Sequence, residues 1–242
     1  MLQGKTVVMA PMSSPAPVPP PADSTLTGAV HNTQNAGLIP TAPALFGDDR
    51  ASRLELTIFA QDISGSMNWP YDERYTKLQA GQRAVMSMVL EKGRLDPDDQ
   101  IGLVAFDDKA KKILDLCPIV SHKHQILEAI QSLGIEGGTD INEGLKLAHE
   151  MFDWARPDVV RRIVLLTDGQ GGHPLPTAED LKSRGVVIDV RGVGDSPQNV
   201  DEKLLRKVAS VVEGEVRYRF IKDSRALVDD YTRLANKTAV SA

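Results

Sequence analysis

A short segment, Asp62 to Ser66, combines one carboxylate with two hydroxyls at two-residue spacing. In an extended chain, residues two apart point to the same side, so the oxygens of Asp62, Ser64 and Ser66 face one point. Gly65 allows the segment to curl. Hard oxygens gathered in this way are the ligands that Mg²⁺ prefers. The alternative is an ordinary turn with an aspartate helix cap, because Asp, Ser and Gly are common turn residues.

Two later segments carry further oxygens. Thr139 stands at the start of a predicted helix. Asp140, with Glu143 three residues later, fits a helix capping box, which leaves the Thr139 hydroxyl free to point elsewhere. Asp168 follows a buried β-branched run and precedes Gly169. An Asp-Gly turn is the alternative interpretation of Asp168.

The candidate metal ligands share oxygen chemistry and include no thiolate or imidazole: Asp62, Ser64, Ser66, Thr139 and Asp168. Such a set favours Mg²⁺ or Mn²⁺ over Zn²⁺, with Ca²⁺ as a further alternative. Two carboxylates neutralise a divalent ion, and an octahedral ion with a water-held position can accept an acidic side chain of a protein partner. No general base or activated nucleophile accompanies the set. We therefore expect a binding site without catalytic residues, and no enzyme.

The segments around these residues alternate between strand-like and helix-like patterns. Short β-branched runs predict four covered strands, at 54–60, 101–106, 163–166 and 186–190. Apolar stripes at helical spacing lie between and after them. This alternation specifies a doubly wound α/β sheet, in which ligands bind beyond the carboxyl ends of the strands. The candidate ligands follow such strands or begin helices.

Two further strands are predicted at the edges of the sheet. Residues 111–116 follow the 101–106 run after a loop that is too short for a right-handed crossover, so the two strands should be antiparallel. Residues 216–220 alternate as a half-exposed edge strand does. Gly93 and Gly185 occupy positions where helix ends favour a positive φ.

Composition divides the chain and excludes several classes of protein. The 242 residues carry a net charge of −5 and one cysteine, so we expect neither a nucleic-acid-binding face nor an intrachain disulfide. The longest aliphatic run is about four residues, whereas a membrane span needs roughly 20. Residues 1–50 are expected to form a proline-rich, charge-poor tail or linker, and residues 51–240 the α/β domain. A cytoplasmic location is expected, with no membrane or nucleic-acid partner.

Three segments resemble the metal-ion-dependent adhesion site of von Willebrand factor type A domains: Asp62-Ile63-Ser64-Gly65-Ser66-Met67, Gly137-Gly138-Thr139-Asp140 and Thr167-Asp168-Gly169. The resemblance covers about residues 52 to 237 and is to bacterial, intracellular members. It implies a six-stranded, mostly parallel sheet with one antiparallel edge strand and helices on both faces. It also implies coordination of Mg²⁺ by the three hydroxyls, and direct or water-mediated binding by Asp62 and Asp168.

The resemblance also implies a class of partner. Bacterial family members often work beside AAA+ ATPases, or in chelatase and stress-response systems. The competing function is a metal-dependent phosphotransferase or hydrolase on a similar sheet, which would need a second carboxylate where this chain has Ser64. A third interpretation makes the metal purely structural. Trp69 and Tyr71 follow the first metal loop and either anchor a partner or pack over the first helix.

Overall fold

The computed structural model describes residues 53–169 and 171–236. Its eight strands are β1 (Glu55–Asp62), β2 (Gln100–Phe106), β3 (Ala110–Pro118), β4 (Val160–Thr167), β5 (Val187–Val193), β6 (Val211–Val212), β7 (Glu215–Val216) and β8 (Tyr218–Ile221). Six of them form one sheet in the order β3-β2-β1-β4-β5-β8, and β6 pairs with β7 separately. The tail predicted for residues 1–50 lies outside the described residues.

The pairing of the strands confirms the predicted fold class. β1 lies at the centre of the sheet and is parallel to both β2 and β4. β5 and β8 continue the parallel arrangement on one side. On the other side β3 is antiparallel to β2, as expected from the short loop between them. The sheet is therefore mixed and mostly parallel, with one antiparallel edge strand.

In the described part of the chain six helices cover the two faces of this sheet: α1 (Lys77–Leu95), α2 (Ile119–Gln131), α3 (Ile141–Met151), α4 (Leu175–Ser183), α5 (Glu202–Val208) and α6 (Ser224–Leu234). One apolar core lies under α1, α2 and α6, and a second lies under α3, α4 and α5. Successive strand residues serve opposite cores, with Phe59 in the first and Ile58 and Ala60 in the second. No helix within the described ranges is long and apolar enough to cross a bilayer.

Two of the sequence predictions require correction. The strand predicted at residues 216–220 is divided, because the Arg217 N–H donates to Ser210 O while the Arg217 carbonyl accepts from the Val190 N–H. Val216 therefore belongs to β7, outside the main sheet. Gly185 follows α4 with a φ of +80°, as predicted, but Gly93 lies inside α1. A Cβ on Gly93 would lie 2.9 Å from Ile119 Cγ2, so the close approach of α2 is what favours glycine there.

A buried ionic network, formed by Glu55, Lys92, Asp99, Arg162 and Asp189, joins the amino-terminal ends of the central strands. Lys92 Nζ lies 3.0 Å from Glu55 Oε1 and 2.7 Å from Asp99 Oδ2. Arg162 lies 3.2 Å from Glu55 Oε1 and 3.3 Å from Asp189 Oδ2. Burial raises the pKa of Glu55, but the charges of Arg162 and Lys92 outweigh it, so its pKa is lower than usual.

Candidate metal centre

Asp62 is the last residue of β1, and its buried carboxylate is held in one orientation. Asp62 Oδ1 accepts a hydrogen bond from the Ser64 N–H at 2.9 Å. Oδ2 accepts one from the Thr167 hydroxyl at 2.6 Å. Thr167 ends β4, and the parallel register of β1 and β4 brings the carboxyl ends of the two strands together. The first and third predicted segments therefore meet at Asp62.

The two serines connect Asp62 to Asp168. Ser64 precedes a single 3-10 turn (Gly65–Asn68), which contains Ser66. Ser64 Oγ and Ser66 Oγ are 3.2 Å apart, and the Ser66 hydroxyl donates to Asp168 Oδ1 at 2.7 Å. The two hydroxyls and the Asp168 carboxylate are thus linked directly, and the Asp62 carboxylate joins them through the Ser64 backbone N–H.

The loop that carries Thr139 is joined to the first loop by its backbone. The Gly65 N–H donates to Gly137 O at 3.1 Å, and the Glu136 N–H donates to Ile63 O at 2.7 Å. Thr139 Oγ1 faces the third loop, since a Cβ built on Gly169 would lie 3.1 Å from it. The predicted residues Asp62, Ser64, Ser66, Thr139 and Asp168, the ligand cluster from here on, therefore meet at one edge of the sheet.

Asp140 beside Thr139 has the structural role that the sequence suggested, with one difference. Its Oδ1 accepts from the Asn142 N–H at 2.9 Å and so caps α3. Glu143 does not complete a capping box, because the Asp140 N–H that it would accept from donates to Asp107 O at 2.6 Å, while Glu143 lies 2.8 Å from Lys146 Nζ. Asp140 is engaged by the helix it caps, and Thr139 is the residue of this pair that faces Gly169.

The donor chemistry of the ligand cluster fits a small divalent ion. Ligands about 2.1 Å from an octahedral ion lie about 3 Å apart when they are adjacent. The Ser64–Ser66 separation of 3.2 Å and the Ser66–Asp168 separation of 2.7 Å are close to that spacing. Among residues 53–169 and 171–236, no three His, Cys, Asp or Glu side chains form a metal-binding group. A metal at this edge would thus depend on the hydroxyls, and metal binding itself stays a prediction.

The electrostatics of Asp62 also favour a nearby cation. Burial, with a smaller contribution from the neighbouring Asp168, raises the pKa of Asp62 to about 6, although hydrogen bonds from Thr167 and Ser64 act to lower it. A carboxylate that has lost its water in this way is stabilised by an added positive charge.

Lys77 is a part of the site that sequence reasoning missed. It is the first residue of α1, and its Nζ lies 2.5 Å from Asp168 Oδ2. The same ammonium lies 5.3 Å from the ring centroid of Trp69, a residue that is 64% exposed. Tyr71, by contrast, is buried and donates its hydroxyl to Ile221 O. The two aromatic residues therefore differ: Trp69 faces outward beside the site, whereas Tyr71 is part of the core.

Gly171 fits so closely against the second loop that a side chain there would push the loops apart. A Cβ at this position would lie 1.9 Å from the backbone oxygen of Thr139. We expect Gly171→Ala to lower the free energy of unfolding by about 1–3 kcal/mol, the usual cost of overpacking. It should also reduce any stabilisation by Mg²⁺, measured by urea denaturation with and without the ion. Gly134→Ala is the matched control, since a Cβ there meets no atom within 4 Å. Equal behaviour of the two variants would contradict this description of the loop contact.

Comparison with known proteins connects this geometry to one family. The family model of the von Willebrand factor type A domain matches residues 57–170, which include the entire ligand cluster. A protein of Synechocystis, sll0103, is 32% identical over 186 residues, which are 73% of this chain and 40% of that protein. The chain thus spans less than half the length of this curated relative.

Solved structures share the fold. A von Willebrand factor type A structure from Catenulispora acidiphila has a TM-score of 0.63 and 25% identity, covering 76% of this chain and 42% of its own. Proximal thread matrix protein 1 of the mussel byssus, described with a zinc-occupied MIDAS motif, has a TM-score of 0.58 and 21% identity, covering 76% of this chain and 47% of its own. The family match and the shared fold together support a von Willebrand factor type A domain in this chain.

Proposed function

We propose that this domain is a non-catalytic protein-interaction module that binds Mg²⁺ at the ligand cluster and docks an acidic side chain of a partner protein there. Mn²⁺ and Ca²⁺ are the alternative ions. The observation that carries the proposal is the convergence of five oxygen-bearing side chains, from three separate loops, at the carboxyl edge of the sheet.

The character of the cluster supports binding over catalysis. The two carboxylates would balance the two positive charges of the ion, and the hydroxyls would add no charge of their own. The ion would therefore still attract a carboxylate from a partner protein. Domains of this family are in general interaction modules. The MIDAS description of the mussel byssus protein supports metal binding by a shared fold, although its zinc is a property of that protein. For this chain, oxygen ligands alone favour Mg²⁺.

The partner is defined here by its chemistry, which is an exposed aspartate or glutamate. A AAA+ ATPase and a cytoplasmic setting are narrower proposals that follow from the resemblance to bacterial family members. Trp69 supports a protein partner, because an exposed aromatic side chain beside a charged site is a common anchor in protein interfaces.

Metal dependence of stability is the first test. We expect EDTA to lower the melting temperature of the wild-type protein by a few degrees and Mg²⁺ to restore it, because an ion that binds only the folded state stabilises that state. In Asp62→Ala the Mg²⁺ response should be lost while the chain still folds. Differential scanning calorimetry with and without Mg²⁺ measures both effects.

Asp115→Ala is the matched control, because Asp115 is an exposed aspartate on β3 that pairs with Lys112. It should keep the wild-type Mg²⁺ response. If Asp62→Ala responded to Mg²⁺ as the wild type does, the ligand assignment would be wrong.

A pull-down from native lysate tests docking and separates it from the alternatives. The acidic partner should be captured in Mg²⁺, and lost in EDTA and with Asp62→Ala. A purely structural metal predicts capture that survives EDTA. The enzyme alternative predicts turnover of a generic phosphoester that disappears in Asp62→Ala.

A further inference from the structure

Lys77 occupies an unusual place for a lysine. It is the first residue of α1, where the positive end of the helix dipole disfavours a cation. Its side chain is only 8% exposed, although lysine is rarely buried without a charged partner. Thr76 and Gln79 form a complete capping box around it, so the backbone position of Lys77 is well determined. The buried Lys77 side chain must therefore be stabilised by the groups that its ammonium contacts.

Those contacts lie within the ligand cluster. Asp168 Oδ1 accepts from Ser66, and Asp168 Oδ2 is 2.5 Å from Lys77 Nζ. The same ammonium also lies over the Trp69 ring in a cation–π contact. The ammonium therefore neutralises Asp168 from inside the protein, at an oxygen of a predicted metal ligand.

We propose that Lys77 is an internal competitor of the divalent ion and that its charge sets the metal affinity of this site. The proposal rests on the proposed function, since it concerns the same cluster. A fixed positive charge beside Asp168 repels a divalent ion and occupies an oxygen that the ion would use. Lys77 thus keeps the metal-free domain stable and makes ion binding weaker than the ligand set alone would give.

The test is Lys77→Met, which keeps most of the apolar stem and removes the charge. We expect it to bind Mg²⁺ at least about tenfold more tightly than the wild type, in the range by which neighbouring groups commonly change metal affinity. The melting temperature in EDTA should fall, because Asp168 loses its partner. If Lys77 only supported the site, removal of its charge would lower both the Mg²⁺ affinity and the melting temperature in EDTA. Competition instead predicts a higher Mg²⁺ affinity together with a lower melting temperature. Isothermal titration calorimetry with Mg²⁺ and calorimetric melting in EDTA provide the two readouts.

Three further variants complete the design. Lys77→Arg keeps the charge and should bind Mg²⁺ about as the wild type does. Lys112→Met removes a lysine from an exposed ion pair on β3 and should change neither readout. Lys77→Gln replaces Lys77→Met if the methionine variant does not fold.

Each result has one meaning. Tighter Mg²⁺ binding by the uncharged variant supports the proposal, including the case in which the wild type shows no measurable binding. Equal or weaker binding by that variant, with a wild type that binds Mg²⁺, overturns the role of Lys77 and leaves the proposed function standing. If neither protein binds Mg²⁺ or Mn²⁺, both proposals are overturned.

Discussion

Replacing Arg162 with methionine is expected to lower the free energy of unfolding by about 3–5 kcal/mol, the usual cost of removing one member of a buried ion pair. The Arg162 guanidinium lies between Glu55 and Asp189, both fully buried, and also donates to Leu234 O at 2.8 Å. Methionine fills similar space but leaves the two carboxylates with less positive charge around them. Urea denaturation followed by circular dichroism measures the loss.

Arg94→Met provides the matched control for this substitution. Arg94 pairs with Glu91 on the surface of α1, and its side chain is 67% exposed. An exposed pair of this kind contributes little to stability, because water screens its charges. If Arg162→Met cost no more than Arg94→Met, the buried ionic network would not be a main source of stability in this domain.

The metal-free protein is expected to lose about 3 kcal/mol of stability through Asp62 as the pH rises from about 4 to above 6. The pKa of Asp62 is about 6 in the folded protein, against an ordinary value of 3.8. The folded state therefore holds this proton more tightly than the unfolded chain does. The resulting stabilisation is complete below the unfolded pKa and disappears as the pH passes the folded one. Unfolding free energies in EDTA at several pH values measure this decline.

Asp62→Asn isolates the contribution of this single carboxyl group. Because asparagine does not titrate, the variant should gain stability relative to the wild type as the pH rises. Saturating Mg²⁺ should have a related effect on the wild type, since a cation stabilises the ionised carboxylate. Parallel stability curves for the two proteins in EDTA would show that Asp62 has an ordinary pKa.

Sequence patterns predicted the main sheet because its covered strands have a local signature. Covered strands show β-branched runs, and the short loop before β3 determines its antiparallel pairing. The edge at residues 216–220 was predicted less well, because its division depends on the backbone hydrogen bonds of Arg217 with Ser210 and with the more distant Val190. The prediction that Gly93 ends a helix was wrong because the contact that favours glycine there comes from another helix. A helix end and a close contact between helices both favour glycine, and the local sequence does not separate the two.

The site shows the same limit. Asp62, Ser64 and Ser66 are two residues apart, so their proximity follows from local geometry. Lys77 has no such signal, since a lysine after a capping threonine is typical of an exposed helix start. Its burial depends on Trp69 and Asp168, the second of which is 91 residues away. The buried ionic network left a weak trace: charged residues inside otherwise apolar strands, such as Arg162 and Asp189, require partners that only the fold supplies.

The buried ionic network and the ligand cluster lie at opposite ends of the parallel strands. The buried ion pairs lie where the strands begin, whereas recognition is assigned to the loops where they finish. Substitutions around Trp69 should therefore leave the buried ionic network, and the stability that it provides, unchanged. A library randomised around Trp69, with Gly169, Gly171 and Gly172 kept, should retain foldable members at high frequency, which makes this scaffold a good starting point for selecting new binding specificities.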